Sequence, residues 1–100
     1  MINRFEDIRL WALARNLVEG STPDKQFIKL MEEIGELAAG LARNKRFEIV
    51  DSIGDAIVVL TIMAAQLGIN VEDCIEAAYA EIKDRKGRMI DGVFVKEEDL

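Results

Sequence analysis

The sequence contains no histidine and a single cysteine, Cys74. Zinc sites, disulfide bonds and the Ser-His or Cys-His pairs of nucleophilic enzymes are therefore excluded within one chain, because each requires side chains that the chain lacks. The Glu-x-x-His motifs on which helical di-iron sites usually depend are missing for the same reason. Catalysis would have to depend on carboxylates, amines, guanidinium groups and hydroxyls.

Basic residues and long apolar runs are also scarce. The chain has 13 Lys and Arg against 19 Asp and Glu, a net charge of −6, which argues against a general nucleic-acid binder. Its start, MINRFEDIRLW, lacks the continuous apolar segment of a signal peptide, and Asp51 and Asp55 interrupt the longest apolar stretch. We therefore expect neither nucleic acid nor membrane as a partner, and a cytoplasmic location.

What the chain does have is helical spacing of apolar residues over most of its 100 positions, which form one domain. This spacing predicts four helices, at about 3–18, 23–43, 47–67 and 71–86. The Asp91-Gly92 pair between apolar residues predicts a β-hairpin at about 89–95. The predicted fold is an all-α, four-helix bundle-like subunit with a short C-terminal β-hairpin. Its large apolar surface and short hairpin predict association of subunits.

The third predicted helix combines apolar residues on every side with three acids, Glu48, Asp51 and Asp55. At about 100° per residue these acids share an arc of about 60°. A helix that is apolar all round is typical of a central, buried position. Carboxylates there would repel one another and lose hydration, so they should either take up protons or hold a cation.

The second predicted helix carries Glu33 and Glu36 beside its apolar stripe. The short basic connection at 44–46 makes the two helices antiparallel neighbours, and it lies between Glu36 and Glu48, so the two sets of acids can face each other. Several oxygen ligands without nitrogen or sulfur favour Mg²⁺ or Mn²⁺. The alternative is a solvated acidic face whose members pair with Lys and Arg.

Two segments carry a resemblance to a known family. The sequences KLMEEIGEL at 29–37 and DSIGD at 51–55 resemble the paired helical motifs of MazG-like nucleoside triphosphate pyrophosphohydrolases, and the C-terminal segment resembles small phage-type members. The resemblance implies an all-α fold and dimers or tetramers whose subunits share a site. It also implies Mg²⁺-dependent hydrolysis of an NTP or dNTP to the monophosphate and pyrophosphate.

The same resemblance implies site residues. Glu33, Glu36 and Asp55 match metal-ligand positions, whereas Ser52 stands where the family usually has Glu, and we take Asp51 as its substitute. One of the two glutamates, Glu33 or Glu36, is expected to orient or deprotonate the attacking water. The residues expected to bind substrate are Lys83, Arg85 and Lys86 at the outer phosphates, Lys29 as a further cation, and Gln26, Trp11 or Phe27 at the base.

Two other functions remain open from the sequence. Ser52 is the reason to consider a catalytically inactive relative that serves as an oligomeric nucleotide-binding or regulatory module. A plain helical bundle, whose acids only pair with basic side chains, is the second. The first predicts nucleotide binding without turnover, and the second predicts that Mg²⁺ leaves the melting temperature unchanged.

Overall fold

A computed structural model describes residues 3–100, and within them the chain forms four α-helices followed by a two-stranded antiparallel sheet. The elements are α1 (Arg4–Ala14), α2 (Pro23–Ala42), α3 (Arg46–Gln66), α4 (Val71–Ile82), β1 (Gly87–Ile90), β2 (Val93–Lys96) and a short 3₁₀ turn (Glu97–Asp99). The predicted all-α class with a C-terminal hairpin is confirmed.

The first three helices end in the same way, with one residue in the left-handed backbone region. These residues are Asn16 (φ 58°), Asn44 (φ 53°) and Gly68 (φ 72°). In each case the next residue donates its N–H to a carbonyl five positions back, which satisfies the end of the helix. The prediction that the first helix continues to residue 18 is wrong, because Asn16 turns the chain directly after α1.

The last helix is also shorter than predicted, since α4 ends at Ile82 rather than at residue 86. Gly87, which directly follows the predicted helix, is the first residue of β1, where an added Cβ would collide with the carbonyl oxygen of Val95. Asp91 and Gly92 both have positive φ, as the two-residue hairpin turn requires. The hairpin itself is confirmed.

Packing within one chain covers little apolar surface. The central position of α3 is confirmed, because it contacts α1, α2 and α4. The predicted burial of α3 on all sides is not confirmed, because Val50 and Ile57 are 59% and 44% exposed. The accessible surface is 7652 Å², against about 5,700 Å² expected for a globular chain of this mass. The radius of gyration is 16.4 Å, against about 13 Å for a compact domain of this length.

The chain bends by 106° between α3 and α4. Across residues 3–100, no single helix is both long enough and apolar enough to cross a membrane.

An ion pair joins α1 to the first turn of α4. The Arg9 guanidinium donates to both carboxylate oxygens of Glu72, and Arg9 also bonds Glu6. The bond from Arg9 is the main reason that the pKa of Glu72 falls to about 2. This pair fixes α4 to α1, two helices that are far apart in the sequence.

The Arg9–Glu72 pair should make part of the stability acid-sensitive. Because the folded-state pKa of Glu72 lies below its ordinary value of 4.5, its contribution is present above that value and is lost as the pH falls toward 2. We expect the melting temperature of the wild type to fall more between pH 5.5 and 2.5 than that of Glu72→Gln. Thermal melts followed by circular dichroism measure this difference, and equal losses would contradict it.

Candidate functional site

Glu33 is the most deeply buried carboxylate of the facing helices α2 and α3. Its side chain is only 5% exposed, and the Nζ of Lys29 lies 3.3 Å from its Oε1. Its Oε2 is buried and has no hydrogen-bond partner. A buried carboxylate oxygen without a partner is costly, which marks this position as incomplete in the isolated chain.

Asp55 lies across from Glu33, on α3. Loss of solvation raises the pKa of Asp55, and the nearby charges of Asp51 and Glu33 raise it further. Acids from both helices therefore act on Asp55, as expected from the position of the turn between Glu36 and Glu48. This is the electrostatic situation in which a bound cation would be stabilised.

A pocket of about 220 Å³ opens beside this group, between the last turns of α2 and the first turns of α3. Its acidic lining residues are Glu36, Glu48 and Asp51, and buried Ser52 lies among them. Asp51 belongs both to this pocket and to the group around Asp55. It therefore connects the two parts of the site.

The donor atoms fit a hard divalent cation. The acids supply oxygen ligands only, and Oε2 of Glu33, which has no hydrogen-bond partner, could coordinate a cation. Within the part of the chain that the structure covers, no three acidic side chains stand close enough together to hold an ion as they are oriented. Glu36 and Asp51 are exposed, so rotation of these two side chains is unhindered by packing.

Several predicted substrate-binding residues lie elsewhere in the chain. Gln26 donates to the hydroxyl of Ser21, and the ring of Trp11 lies 4.4 Å beneath the guanidinium of Arg15. Arg85 pairs with Glu81 at 3.3 Å. Among the residues that line the pockets at Glu36, Asp51 and Asp55, none comes from α4 or from the segment 83–86. One chain thus brings the acids together but not these residues.

Two groups of residues line the site although neither was among the residues predicted to bind substrate. Arg43 and Lys45 line the same pocket as Glu36, and Phe5 and Ile8 of α1 line an apolar groove of about 510 Å³ that reaches Asp55. Arg43 and Lys45 could have been predicted from the basic connection between two acid-bearing helices. The groove at Phe5 and Ile8 depends on how α1 crosses α3, about which helical periodicity contains no information.

Comparison with known proteins places this arrangement in a family. The sequence profile of the MazG-like family matches residues 27–92, which include α3 and all of α2 beyond its first turn. The chain belongs to the MazG-like family. That family is generally associated with hydrolysis of nucleoside triphosphates by pyrophosphatase-type chemistry.

A relative of this MazG-like chain occurs in a phage. It is the "uncharacterized 18.2 kDa protein in rep-hol intergenic region" of Haemophilus phage HP1 (strain HP1c1), which is 62% identical over 61 residues. The aligned region is 61% of this chain but 37% of the phage protein. The chain thus spans little more than a third of that relative's length, and a homologue in a phage is consistent with the expected phage-type member. No solved structure matches the chain significantly.

Proposed function

We propose that the protein is a Mg²⁺-dependent nucleoside triphosphate pyrophosphohydrolase that converts an NTP or dNTP to the monophosphate and pyrophosphate. The observation that carries the proposal is the buried Glu33 carboxylate, which has one partnerless oxygen and lies near Asp55 across the α2–α3 pair. Mn²⁺ is the alternative cation, because it accepts the same oxygen ligands. Membership of the family supports this class of reaction.

The residues that would hold the cation are Glu33, Glu36, Asp51 and Asp55. A bound cation would neutralise the phosphate oxygens and make the phosphorus more electrophilic. Lys29 holds Oε1 of Glu33, while Oε2 stays without a partner and is free to bind a cation. Lys29 thus acts by positioning Glu33 rather than by holding phosphate.

Glu36 is the best placed of the two glutamates to act on the attacking water. Unlike Glu33 it is exposed, and within residues 3–100 it forms no salt bridge, so its carboxylate can accept a proton or a hydrogen bond from water in the pocket. Glu33, buried and held by Lys29, is less able to move. We assign the water to Glu36 and the cation chiefly to the other three acids.

The nucleoside is assigned to the groove between α1 and α3. Its lining is mainly apolar, with Phe5, Ile8 and Ile57 beside Asp55. Its volume of about 510 Å³ lies in the range of pockets that hold small-molecule ligands. A base in this groove would have its phosphates directed past Asp51, toward the acids of the pocket.

We also propose that the protein functions as a homodimer or homotetramer. The surface of one chain exceeds the value expected for its mass by about 2,000 Å², which is the scale of a stable protein interface. In such an assembly, Lys83, Arg85 and Lys86 of one copy would be available to the acids of another. This is how these predicted substrate-binding residues would take part despite their position in α4 and beyond it.

The purified protein should therefore release monophosphate and pyrophosphate from at least one member of a panel of the common NTPs and dNTPs when Mg²⁺ is present. ³¹P NMR identifies both products and separates this reaction from release of orthophosphate. Omission of Mg²⁺ should stop turnover, because the carboxylates would then repel the triphosphate.

Intact nucleotides across the whole panel would reject the hydrolase. Mg²⁺-dependent nucleotide binding without turnover would instead support the catalytically inactive module, which was considered because Ser52 stands at the usual Glu position. If neither Mg²⁺ nor nucleotide changed the melting temperature, the acids would be purely structural.

A further inference from the structure

The turn between α2 and α3 places two cationic side chains in the wall of the pocket that holds the acids. Arg43 is the residue that follows α2, and Lys45 directly precedes α3. Both line the pocket of about 220 Å³ together with Glu36, Glu48 and Asp51. The cavity therefore has two positive and three negative side chains around it, a formal sum of −1.

These opposite charges do not close onto one another. Across residues 3–100, neither Arg43 nor Lys45 has a carboxylate oxygen within 4.0 Å, although three acids line the same pocket. The separation of cationic and acidic side chains within one small pocket leaves space for a ligand that interacts with both kinds of charge. An anion coordinated to a divalent cation is such a group.

The backbone holds this arrangement in place. The N–H of Lys45 donates to the carbonyl of Gly40 at 2.9 Å. A Cβ at Gly40 would lie 3.3 Å from Ile49, so the two helices are in close contact beside the turn. Lys45 directly precedes α3, and its amine has no carboxylate oxygen within 4.0 Å in the part of the chain that the structure describes. The backbone positions of Arg43 and Lys45 are thus set by the helix pair.

The size of the pocket limits what it can hold. About 220 Å³ is below the roughly 300–1,000 Å³ of pockets that enclose a whole drug-sized ligand. The pocket and the α1–α3 groove share Asp51 as a lining residue. A nucleotide that lies along both would place its nucleoside in the groove and only its terminal phosphates in the pocket.

We propose that Arg43 and Lys45 bind the pyrophosphate end of the substrate, and then the pyrophosphate product, opposite the carboxylate-held cation. This inference rests on the proposed function and assigns the outer phosphates to the turn of the same chain, in addition to the segment 83–86 that another copy would bring to the acids. Because the pocket sums to −1 without the cation, pyrophosphate should bind only when Mg²⁺ is present. Contact with phosphates alone makes the effect independent of the base.

The test is calorimetric titration of the full chain with inorganic pyrophosphate in the presence of Mg²⁺. Arg43→Gln and Lys45→Gln should each weaken binding about tenfold, and the double variant about a hundredfold. Affinity for a nucleoside monophosphate should stay within about twofold, since it lacks the terminal phosphates. Lys25→Gln is the matched control, because it removes the same charge near the opposite end of α2.

Kinetics give a second readout of the same proposal. The double variant should raise KM by a similar factor for every nucleotide that the wild type hydrolyses, and should weaken inhibition by pyrophosphate. Circular dichroism and solution mass establish that each variant is folded, and Arg43→Lys, which retains the charge, should recover part of the lost affinity.

The outcomes separate this inference from the proposed function. A wild type without turnover rejects the hydrolase, and the calorimetry then decides the pyrophosphate site alone. If the wild type turns over normally and the double variant binds pyrophosphate as tightly as Lys25→Gln does, the pyrophosphate site is overturned. The proposed hydrolase activity would stand in that case. Absence of pyrophosphate binding to the wild type with Mg²⁺ would overturn it as well.

Discussion

Asp55→Asn is expected to abolish turnover and, at the same time, to stabilise the protein in metal-free buffer. Loss of a metal ligand should reduce kcat/KM at least about a hundredfold, because mutation of a residue that only supports a metal ligand commonly lowers metal affinity or activity by 10–100-fold. The asparagine also removes a charge that loss of solvation and the neighbouring Asp51 and Glu33 disfavour. With solvent screening, we expect the melting temperature to rise by about 2–5 °C.

The pH dependence of that stabilisation follows from the raised pKa of Asp55. A carboxyl whose pKa is raised on folding contributes stability below its ordinary value, and that contribution is lost as the pH rises through the folded-state value. The difference between the variant and the wild type should therefore be largest at pH 7 and shrink toward pH 4. Melts at one protein concentration, with EDTA, measure it.

Addition of Mg²⁺ should reverse the order of the two proteins. The wild type should gain stability by mass action, whereas Asp55→Asn should gain little. Asp99→Asn, in the terminal 3₁₀ turn, removes the same charge away from the site and should behave as the wild type does. If Asp55→Asn retained turnover within about tenfold, Asp55 would not be an essential ligand.

Ile75→Asp is expected to dissociate the assembly. Ile75 is 50% exposed in one chain and lines an apolar groove of about 380 Å³ together with Leu60 and Leu67. A charge buried there in a subunit interface would lose hydration without gaining a partner. We expect a solution mass near the 11.2 kDa of one chain, and a melting temperature lower by about 10 °C or more.

A matched control for this substitution lies on the same helix. Ala80 is about 140° around α4 from Ile75 and is exposed, so Ala80→Asp adds the same charge on the other side. Light scattering coupled to size-exclusion chromatography gives the mass of each protein. An assembly that survives Ile75→Asp would show that this groove is not the subunit contact. A wild type that is monomeric at micromolar concentration would refute the assembly altogether.

Much of the secondary structure could be predicted because local signals decide it. Thr22 and Pro23 begin α2 at the predicted residue, and Asp91-Gly92 sets the hairpin turn. The ends of α1 and α4 were missed for different reasons. Asn16 can sit inside a helix or terminate one, and only the packed chain settles which. Gly87 was consistent with a helix end, but the cross-strand approach to Val95 explains why glycine is there.

The candidate site was predictable where it depends on one short turn and unpredictable where it depends on angles between distant elements. The three-residue connection brings Glu33 and Asp55 together, as predicted. No residue of the segment 83–86 lines the pockets at Glu36, Asp51 and Asp55 within one chain. Helical periodicity contains no information about the 106° bend that places α4 after α3. Likewise, the apolar pattern of α3 predicts a buried helix without saying whether its own chain or a second copy covers it.

The left-handed conformation of Asn44 links the backbone of the turn to the chemistry of the site. For residues other than Gly, Asn or Asp this conformation costs about 1–2 kcal/mol, so position 44 tolerates few side chains. A side chain that disfavours this conformation would strain the turn that joins α2 to α3, the two helices on which Glu33 and Asp55 lie. The torsion angle of one asparagine thus bears on how closely acids of two different helices approach.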